Sequence, residues 1–385
     1  MFGLPRTQYT ADHELFRESV RAFVAKEIAP YNAQWENEKM VSRESWKKLG
    51  ENGFLGIQAP EEFGGMNIQD FRFSAILIEE LGLSGCSGPA IGYPLHSDIV
   101  MPYILHYGTD EAKQKYLPKM ISGDYIGAVA MTEPGAGSDL QGMRTSAEDM
   151  GDHYLVNGSK TFITNGYLSD VVVVAVKTEQ RRSSKAISLL LIDREMEGFT
   201  KGVPFEKVGL HAQDTCELFF DNVKVPKSNL LGEVGHGFNY LMTELAQERL
   251  VVALAAVALG EYMLQATVDY VKQRKAFQKN LSEFQNTRFK LAEMTAALEQ
   301  GRIYCDQLVM LHNEGKLDSA MASAAKYNMT ELQCKVADEC VQLHGGYGYM
   351  WEYGVARAYA DARVQRIYAG TNEIMKELIA RKILK

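Results

Sequence analysis

The ten residues Ala130-Met-Thr-Glu-Pro-Gly-Ala-Gly-Ser-Asp139 bring together the residue types that hold a ligand by its polar edge. Pro134 stiffens the turn, Gly135 and Gly137 allow close approach of backbone to ligand, and Thr132 and Ser138 supply hydroxyls. Such a loop can grip a flat polar ring or a phosphate. Its spacing matches neither the glycine fingerprint of dinucleotide folds nor the phosphate loop of nucleoside triphosphatases, so its meaning depends on the rest of the chain. Metal chemistry finds no support. The five cysteines (Cys86, Cys216, Cys305, Cys334 and Cys340) are scattered, odd in number and without Cys-x-x-Cys spacing, and they read as reduced structural thiols.

The elements that must position this loop fall into three blocks. From about Asp12 to Leu117 apolar residues recur every three or four positions, broken by Gly64-Gly65 and by Gly85 to Pro89, which predicts helices. Between Tyr125 and Val225 the pattern changes to short β-rich runs: Val129 to Met131, Tyr154 to Val156, Thr161 to Thr164, Val171 to Val176, Ile187 to Ile192 and Leu218 to Phe220. Asn157-Gly158 between two of them predicts a hairpin. After Gly237 the helical period returns over Phe238 to Arg274, Ser282 to His312, Asp318 to Leu343 and Asn372 to Lys382, which suggests an antiparallel bundle. The fold class is α+β, mostly α, with domains expected at 1–122, 123–235 and 236–385. No βαβ alternation supports a Rossmann sheet.

Composition removes other classes. A formal net charge of −8 argues against general nucleic-acid binding. The longest apolar run, Leu250 to Leu259, is about half of the ~20 residues needed to cross a bilayer. No signal or transit pattern opens the chain, and acidic residues appear by Asp12 and Glu14. A bacterial cytoplasm is the simplest location, or the mitochondrial matrix where a presequence has been removed.

Together with Phe162-Ile-Thr-Asn165, Arg274-Lys-Ala-Phe277, Gln342-Leu-His-Gly-Gly346 and Gly370-Thr-Asn-Glu373, the loop at 130–139 resembles the acyl-CoA dehydrogenase family in order and spacing. The likeness runs over essentially the whole chain and is strongest toward the long-chain branch. It implies a helical domain, a β domain and a four-helix domain, assembled as a homotetramer (a dimer of dimers) with FAD between subunits. By the resemblance, Val129, Met131, Thr132, Gly137 and Ser138, with Phe162, Ile163 and Thr164, embrace the isoalloxazine ring. Phe162 stands where many relatives have Trp, keeping aromatic cover without the indole N–H. Arg274, Phe277, Gln285, Gln342, Gly345 and Gly346 match positions that hold a neighbouring subunit's FAD. Thr371 and Glu373 match the last FAD-contacting motif.

Many members place the catalytic Glu immediately before the Gly-Thr of that last motif, where this chain has Ala369. The resemblance assigns the role in the long-chain and isovaleryl branches to a Glu on another helix, and Gln247-Glu248-Arg249-Leu250 aligns with it. Glu248 precedes the apolar run, so its helix is expected to be embedded and its carboxyl desolvated, which suits removal of the α-proton of a thioester. Glu244, one turn earlier, is the rival, and Glu373 a weaker one. Arg249, about 100° around the helix from Glu248, is expected to point toward CoA or a neighbouring chain. The main-chain N–H of Ala369 survives loss of the side chain and can still polarise the thioester carbonyl. Ser138, Ser184, Ala246, Gln247, Arg249, Ala369, Gly370 and Arg381 match substrate positions, and Tyr93 to Val100 are expected at the floor of the acyl pocket.

The resemblance implies FAD-dependent α,β-dehydrogenation of a medium- to long-chain acyl-CoA to the trans-2-enoyl-CoA, with electrons passed to an electron-transfer flavoprotein. Two alternatives stay open on sequence: an O₂-using acyl-CoA or nitroalkane oxidase on the same fold, and a non-catalytic paralogue that binds FAD or acyl-CoA.

Overall fold

Short amphipathic runs closed by capping residues give the first layer. The computed structural model describes residues 3–385, so the first two residues of the expected N-terminal domain lie outside the described residues. The helices are α1 (Ala11–Phe23), α2 (Asn32–Glu38), α3 (Arg43–Glu51), α4 (Arg72–Leu83), α5 (Ser87–Pro94), α6 (Met101–Tyr107) and α7 (Asp110–Ile121). Ser42 and Thr109 cap α3 and α7 by accepting backbone N–H bonds. Between α5 and α6 the chain widens into a π turn, Leu95–Val100, right after Pro94, and such widenings gather at functional sites.

The β-rich segment forms β1 (Gly127–Ala130), β2 (Ser146–Asp149), β3 (His153–Thr164), β4 (Val171–Lys177), β5 (Ile187–Asp193), β6 (Phe199–Lys201), β7 (Thr215–Pro226) and β8 (Leu230–Leu231). The sheet order is β6-β7-β3-β2-β4-β5-β8, with β1 parallel to β4. β4 and β5 are buried along their whole length, which is why they read as unbroken apolar runs. Asn157-Gly158 does not turn the chain. The two expected strands on either side of it are one strand, β3, and the pair forms a bulge where the register against β7 shifts between Val156 and Gly158. Gly158 has φ +144°, and a Cβ there would meet Thr145 at 2.6 Å, so the glycine serves close approach inside a strand.

The long helices follow as expected: α8 (Gly237–Gln273), α9 (Gln285–Asn313), α10 (Ser319–His344), α11 (Gly354–Ala362) and α12 (Asn372–Ile383). A two-stranded hairpin, β9 (Lys275–Ala276) with β10 (Lys279–Asn280), joins α8 to α9. α8 is long and apolar enough to cross a membrane, but 78% of its most apolar stretch is buried inside the protein, as in a core helix.

α8 is the spine against which the other layers pack. On one side it meets α4, where a Cβ on Gly82 would lie 2.6 Å from the Ala258 Cβ. Above that crossing, Glu79 of α4 accepts bonds from Arg6, Arg17 and Arg302, and Arg302 also bonds Glu261 of α8 at 2.6 Å. The three guanidinium groups hold the Glu79 carboxyl well below the usual carboxylate range despite its burial. The helical layer is tied to the sheet by two buried side chains. Asn165 donates to the Gly92 carbonyl at 2.9 Å, and His96 stands between the Gly127 N–H and the Met120 carbonyl. Gly82→Val is expected to force α4 off α8 and to destabilise by about 1–3 kcal/mol. A lowered thermal unfolding midpoint checks this, and an unchanged midpoint would show that the crossing yields.

Candidate active site

Glu248 lies on α8 with 4% of its surface exposed, and its Oε1 accepts a 2.6 Å bond from the Tyr103 hydroxyl of α6. That donor is a neutral phenol and not a cation. Burial pushes the carboxyl up to about 7, reinforced by Glu244 and opposed by the Tyr103 bond and by Arg249. Arg249 is held by its own chain. It is buried, and its Nη1 donates to Ser319 Oγ at 2.9 Å and Ser323 Oγ at 3.3 Å on α10 of the same chain, while its Nε finds no partner. The helical turn carries it away from Glu248 and against α10. The rival Glu244 is engaged by the Tyr107 hydroxyl at 2.8 Å and His106 Nδ1 at 2.9 Å.

Tyr103 belongs to no motif of the sequence, and only the fold brings it to Glu248. Tyr103 and Tyr107 sit four apart on α6, as Glu244 and Glu248 do on α8, and the two pairs meet hydroxyl to carboxylate. A second missed residue is Glu133, inside the glycine-rich loop. It is buried, accepts the Arg144 and Thr145 N–H groups at 2.6 and 3.0 Å, and bonds Lys160 Nζ at 2.9 Å. Burial lowers the Lys160 ammonium to about 8. This pair anchors the loop from beneath.

Above that anchor, Val129, Met131 and Thr132 are half-buried, whereas Gly137 and Ser138 are exposed. A Cβ on Gly135 or Gly137 would meet only open space, so a ligand can lie against the backbone there. A second bulge, between Lys160 and Ile163, throws Phe162 outward with φ +60° and 68% exposure, while Ile163 stays in the core and Thr164 is half-buried. A left-handed non-glycine residue costs roughly 1–2 kcal/mol, and bulges recur beside active sites. Arg182 pairs with Asp139, which brings the turn bearing Ser184 next to Ser138. An exposed aromatic ring, an open glycine backbone and flanking hydroxyls together fit one face of an isoalloxazine ring.

A different surface gathers the remaining cofactor candidates. Arg274 stands 5.3 Å from the Tyr347 ring, and Tyr270 stacks on His344, which joins the end of α8 to the Gln342–Gly346 segment. Gln342, Gly345 and Gly346 are exposed, as are Gln285 at the start of α9 and Phe277, 90% exposed at the left-handed tip of the β9–β10 hairpin. Among the rings of the described residues, only that of Phe284 stands near Phe277, edge-on at 6.4 Å.

Substrate candidates divide. Ala246 opens on a cleft of about 280 Å³. Gln247 beside it is locked in place, donating to the Asp98 carbonyl at 2.6 Å and meeting His312 at 2.9 Å. Ala369 and Gly370 are half-buried with φ +51° and +91°, Thr371 caps α12, and Glu373 is exposed. Arg381 is exposed and pairs with Glu377 one turn away on its own helix. In the expected acyl floor, Asp98 is buried with Oδ2 unpartnered, and burial pushes its carboxyl up to about 7.

Sequence models of the acyl-CoA dehydrogenase N-terminal, middle and C-terminal domains match residues 10–124, 128–223 and 235–384. The chain belongs to the acyl-CoA dehydrogenase family. It is 54% identical over 381 residues to the mitochondrial long-chain specific acyl-CoA dehydrogenase of Sus scrofa, covering 98% of this chain and 88% of that one. An acyl-CoA dehydrogenase structure from Geobacillus kaustophilus superposes with a TM-score of 0.95 at 52% identity, covering 97% and 98% of the two chains. The butyryl-CoA dehydrogenase structure from Megasphaera elsdenii gives 0.93 at 34% identity, covering 98% and 99%. As an acyl-CoA dehydrogenase, the chain is an enzyme with the three-domain fold of that family.

Two outcomes follow from the Glu248 environment. Tyr103→Phe removes the bond that favours the charged carboxylate, so the acidic limb of the pH–rate profile is expected to move up by about one pH unit, read as kcat/KM against pH. Glu248→Gln is expected to stabilise the protein above neutral pH. The folded value, about 7, lies above the ordinary 4.5, so the carboxyl's favourable contribution is full below pH 4.5 and is lost as pH rises through 7. The gain at pH 8 is of order 3 kcal/mol and vanishes near pH 4.5, as checked by thermal midpoints at the two pH values.

Proposed function

We propose that this acyl-CoA dehydrogenase converts a medium- to long-chain acyl-CoA to the trans-2-enoyl-CoA with Glu248 as the base, and passes the electrons to an electron-transfer flavoprotein. The observation that carries the reading is the Glu248 carboxyl: out of water, raised to about 7, and bonded to a phenol instead of a cation. Its location on α8 answers the loss of a carboxylate at Ala369. FAD is proposed to lie with its ring against Val129–Ser138 and Phe162–Thr164. Arg274, Phe277, Gln285, Gln342, Gly345 and Gly346 of one subunit would then hold the cofactor of its neighbour in a homotetramer. The 90% exposure of Phe277 supports a partner at that face. The proposed compartment is aqueous, a bacterial cytoplasm or a mitochondrial matrix.

The chain's own residues would act in a fixed order. The open backbone at Gly135 to Ser138 and the cleft beside Ala246 receive the cofactor and the CoA arm. The Ala369 N–H donates to the thioester carbonyl, which acidifies the α-carbon. With Oε1 occupied by Tyr103, Oε2 of Glu248 takes the α-proton, and the apolar residues around α8 keep water from competing for it. Bound FAD supplies the acceptor for the hydride that leaves the β-carbon.

Glu248→Gln is expected to retain FAD while the rate of flavin bleaching by acyl-CoA under anaerobic conditions falls by at least about 10³-fold. Undiminished bleaching would refute the assignment. Repeating the mixing with C4 to C20 acyl-CoAs reads the chain-length preference, and a spectral shift without reduction by any of them would turn the reading toward a binding protein.

A further inference from the structure

Behind the Ala369 turn lies a cation that neither the motifs nor the proposed chemistry uses. Lys326 of α10 is fully buried, yet among the described residues its ammonium bonds no carboxylate. It donates to the Gly370 carbonyl at 2.8 Å and to Asn372 Oδ1 at 3.0 Å. Asn372 is buried as well, and its amide donates to Thr330 Oγ1 at 3.1 Å and to Glu331 Oε1 at 2.9 Å. The charged groups around Lys326 are Arg249 on α8, Glu331 on α10 and Glu373 on α12, and burial with the like charge of Arg249 lowers its ammonium to about 8. An ammonium placed in the interior without a bonded carboxylate is costly to keep, so what it holds is informative.

What it holds is a strained turn. Ala369 and Gly370 are consecutive left-handed residues, at φ +51° and +91°. Ala369 bears a Cβ that disfavours this conformation, and a Cβ at Gly370 would strike Met375 Cε at 2.6 Å. Among the described residues, neither the Ala369 N–H nor the Gly370 N–H has a backbone acceptor. The turn therefore combines an unfavourable backbone, two N–H groups without a backbone acceptor among the described residues, and a carbonyl drawn into the bundle. A charge-assisted bond to that carbonyl is stronger than a neutral one and opposes relaxation of the turn.

We propose that Lys326 is a positioning residue: by clamping the Gly370 carbonyl it holds the Ala369–Gly370 turn in its left-handed form, so that the N–H of Ala369 stays aimed at the thioester carbonyl of the substrate. This rests on the reading of Ala369 given under Proposed function. Lys326 bonds the Gly370 carbonyl and Asn372, and it acts through the turn. Its effect travels through one carbonyl and two peptide units, and it sets how strongly the thioester is polarised rather than how tightly the acyl-CoA is held.

The test uses holoenzyme with bound enoyl-CoA labelled with carbon-13 at the thioester carbonyl, whose stretching frequency reports hydrogen bonding and needs no base. In Lys326→Met the stretch is expected to move toward its value in free enoyl-CoA. kcat should fall roughly tenfold, as for a small misplacement of a donor, with KM within about threefold. Lys326→Arg, which keeps the charge, should recover part of both. Should Lys326→Met fail to fold, Lys326→Gln keeps a donor without charge and should give the same changes at about a third of the size. A carbonyl frequency unchanged in the neutral variant that folds overturns the proposal, as does a fall in kcat accounted for wholly by lost FAD. Glu248→Gln separates this result from the base assignment. If that variant still bleaches, the base reading fails while the carbonyl shift continues to judge Lys326.

Discussion

A carboxylate is a strong enough base for a weak carbon acid only if water and cations are both kept from it, and those two requirements shape the surroundings of Glu248. Apolar side chains from α4, α5, α8 and the π turn exclude water, and burial carries the carboxyl to about 7. Cations are the harder problem, because Arg249 is next in sequence. The helix turns its guanidinium away, and its Nη1 donates to the neutral oxygens of Ser319 and Ser323. An ion pair at the same place would have pulled the carboxyl down and left a weak base. Tyr103 provides the compromise, fixing the carboxylate's orientation with a single neutral donor.

Two of the left-handed residues that are not glycine lie in segments proposed to face the flavin and the thioester. Phe162 and Ala369 are both left-handed without being glycine, one in a bulge of β3 and the other before α12. Each is over-determined by its setting. The first lies beside the Glu133–Lys160 pair beneath the glycine-rich loop, the second under the Lys326 clamp. In both, a buried lysine bonds a main-chain carbonyl, of Met131 and of Gly370. Two separate stretches of backbone proposed to face ligands thus rest on the same kind of support.

How far the sequence discloses this depends on the range of the interaction. The long helices and the apolar strands β4 and β5 are legible because their period or their continuous hydrophobicity is local. Asn157-Gly158 misleads because positive φ serves a bulge as well as a hairpin, and only the partner strand β7 decides between them. The short hairpin after α8 and the nine-residue helix α11 carry too few periodic positions to stand out. In the site, the glycine-rich loop and Glu248 could be named from motif and neighbouring residues. Tyr103 and Lys326 could not, since each acts across a tertiary contact more than 40 positions away in sequence. Arg249 is legible in position alone, because its orientation depends on serines of α10.

The joint at His96 has its own implication. One ring nitrogen donates to the Met120 carbonyl while the other accepts the N–H of Gly127, an arrangement open only to a neutral imidazole, and burial depresses the ring to about 4. The unfolded chain takes up that proton near the ordinary 6.5, so cohesion here drains away progressively as the solution becomes more acidic than that. Mild acid therefore loosens the seam between the first helical layer and the leading strand, at the joint where a neutral ring bridges them.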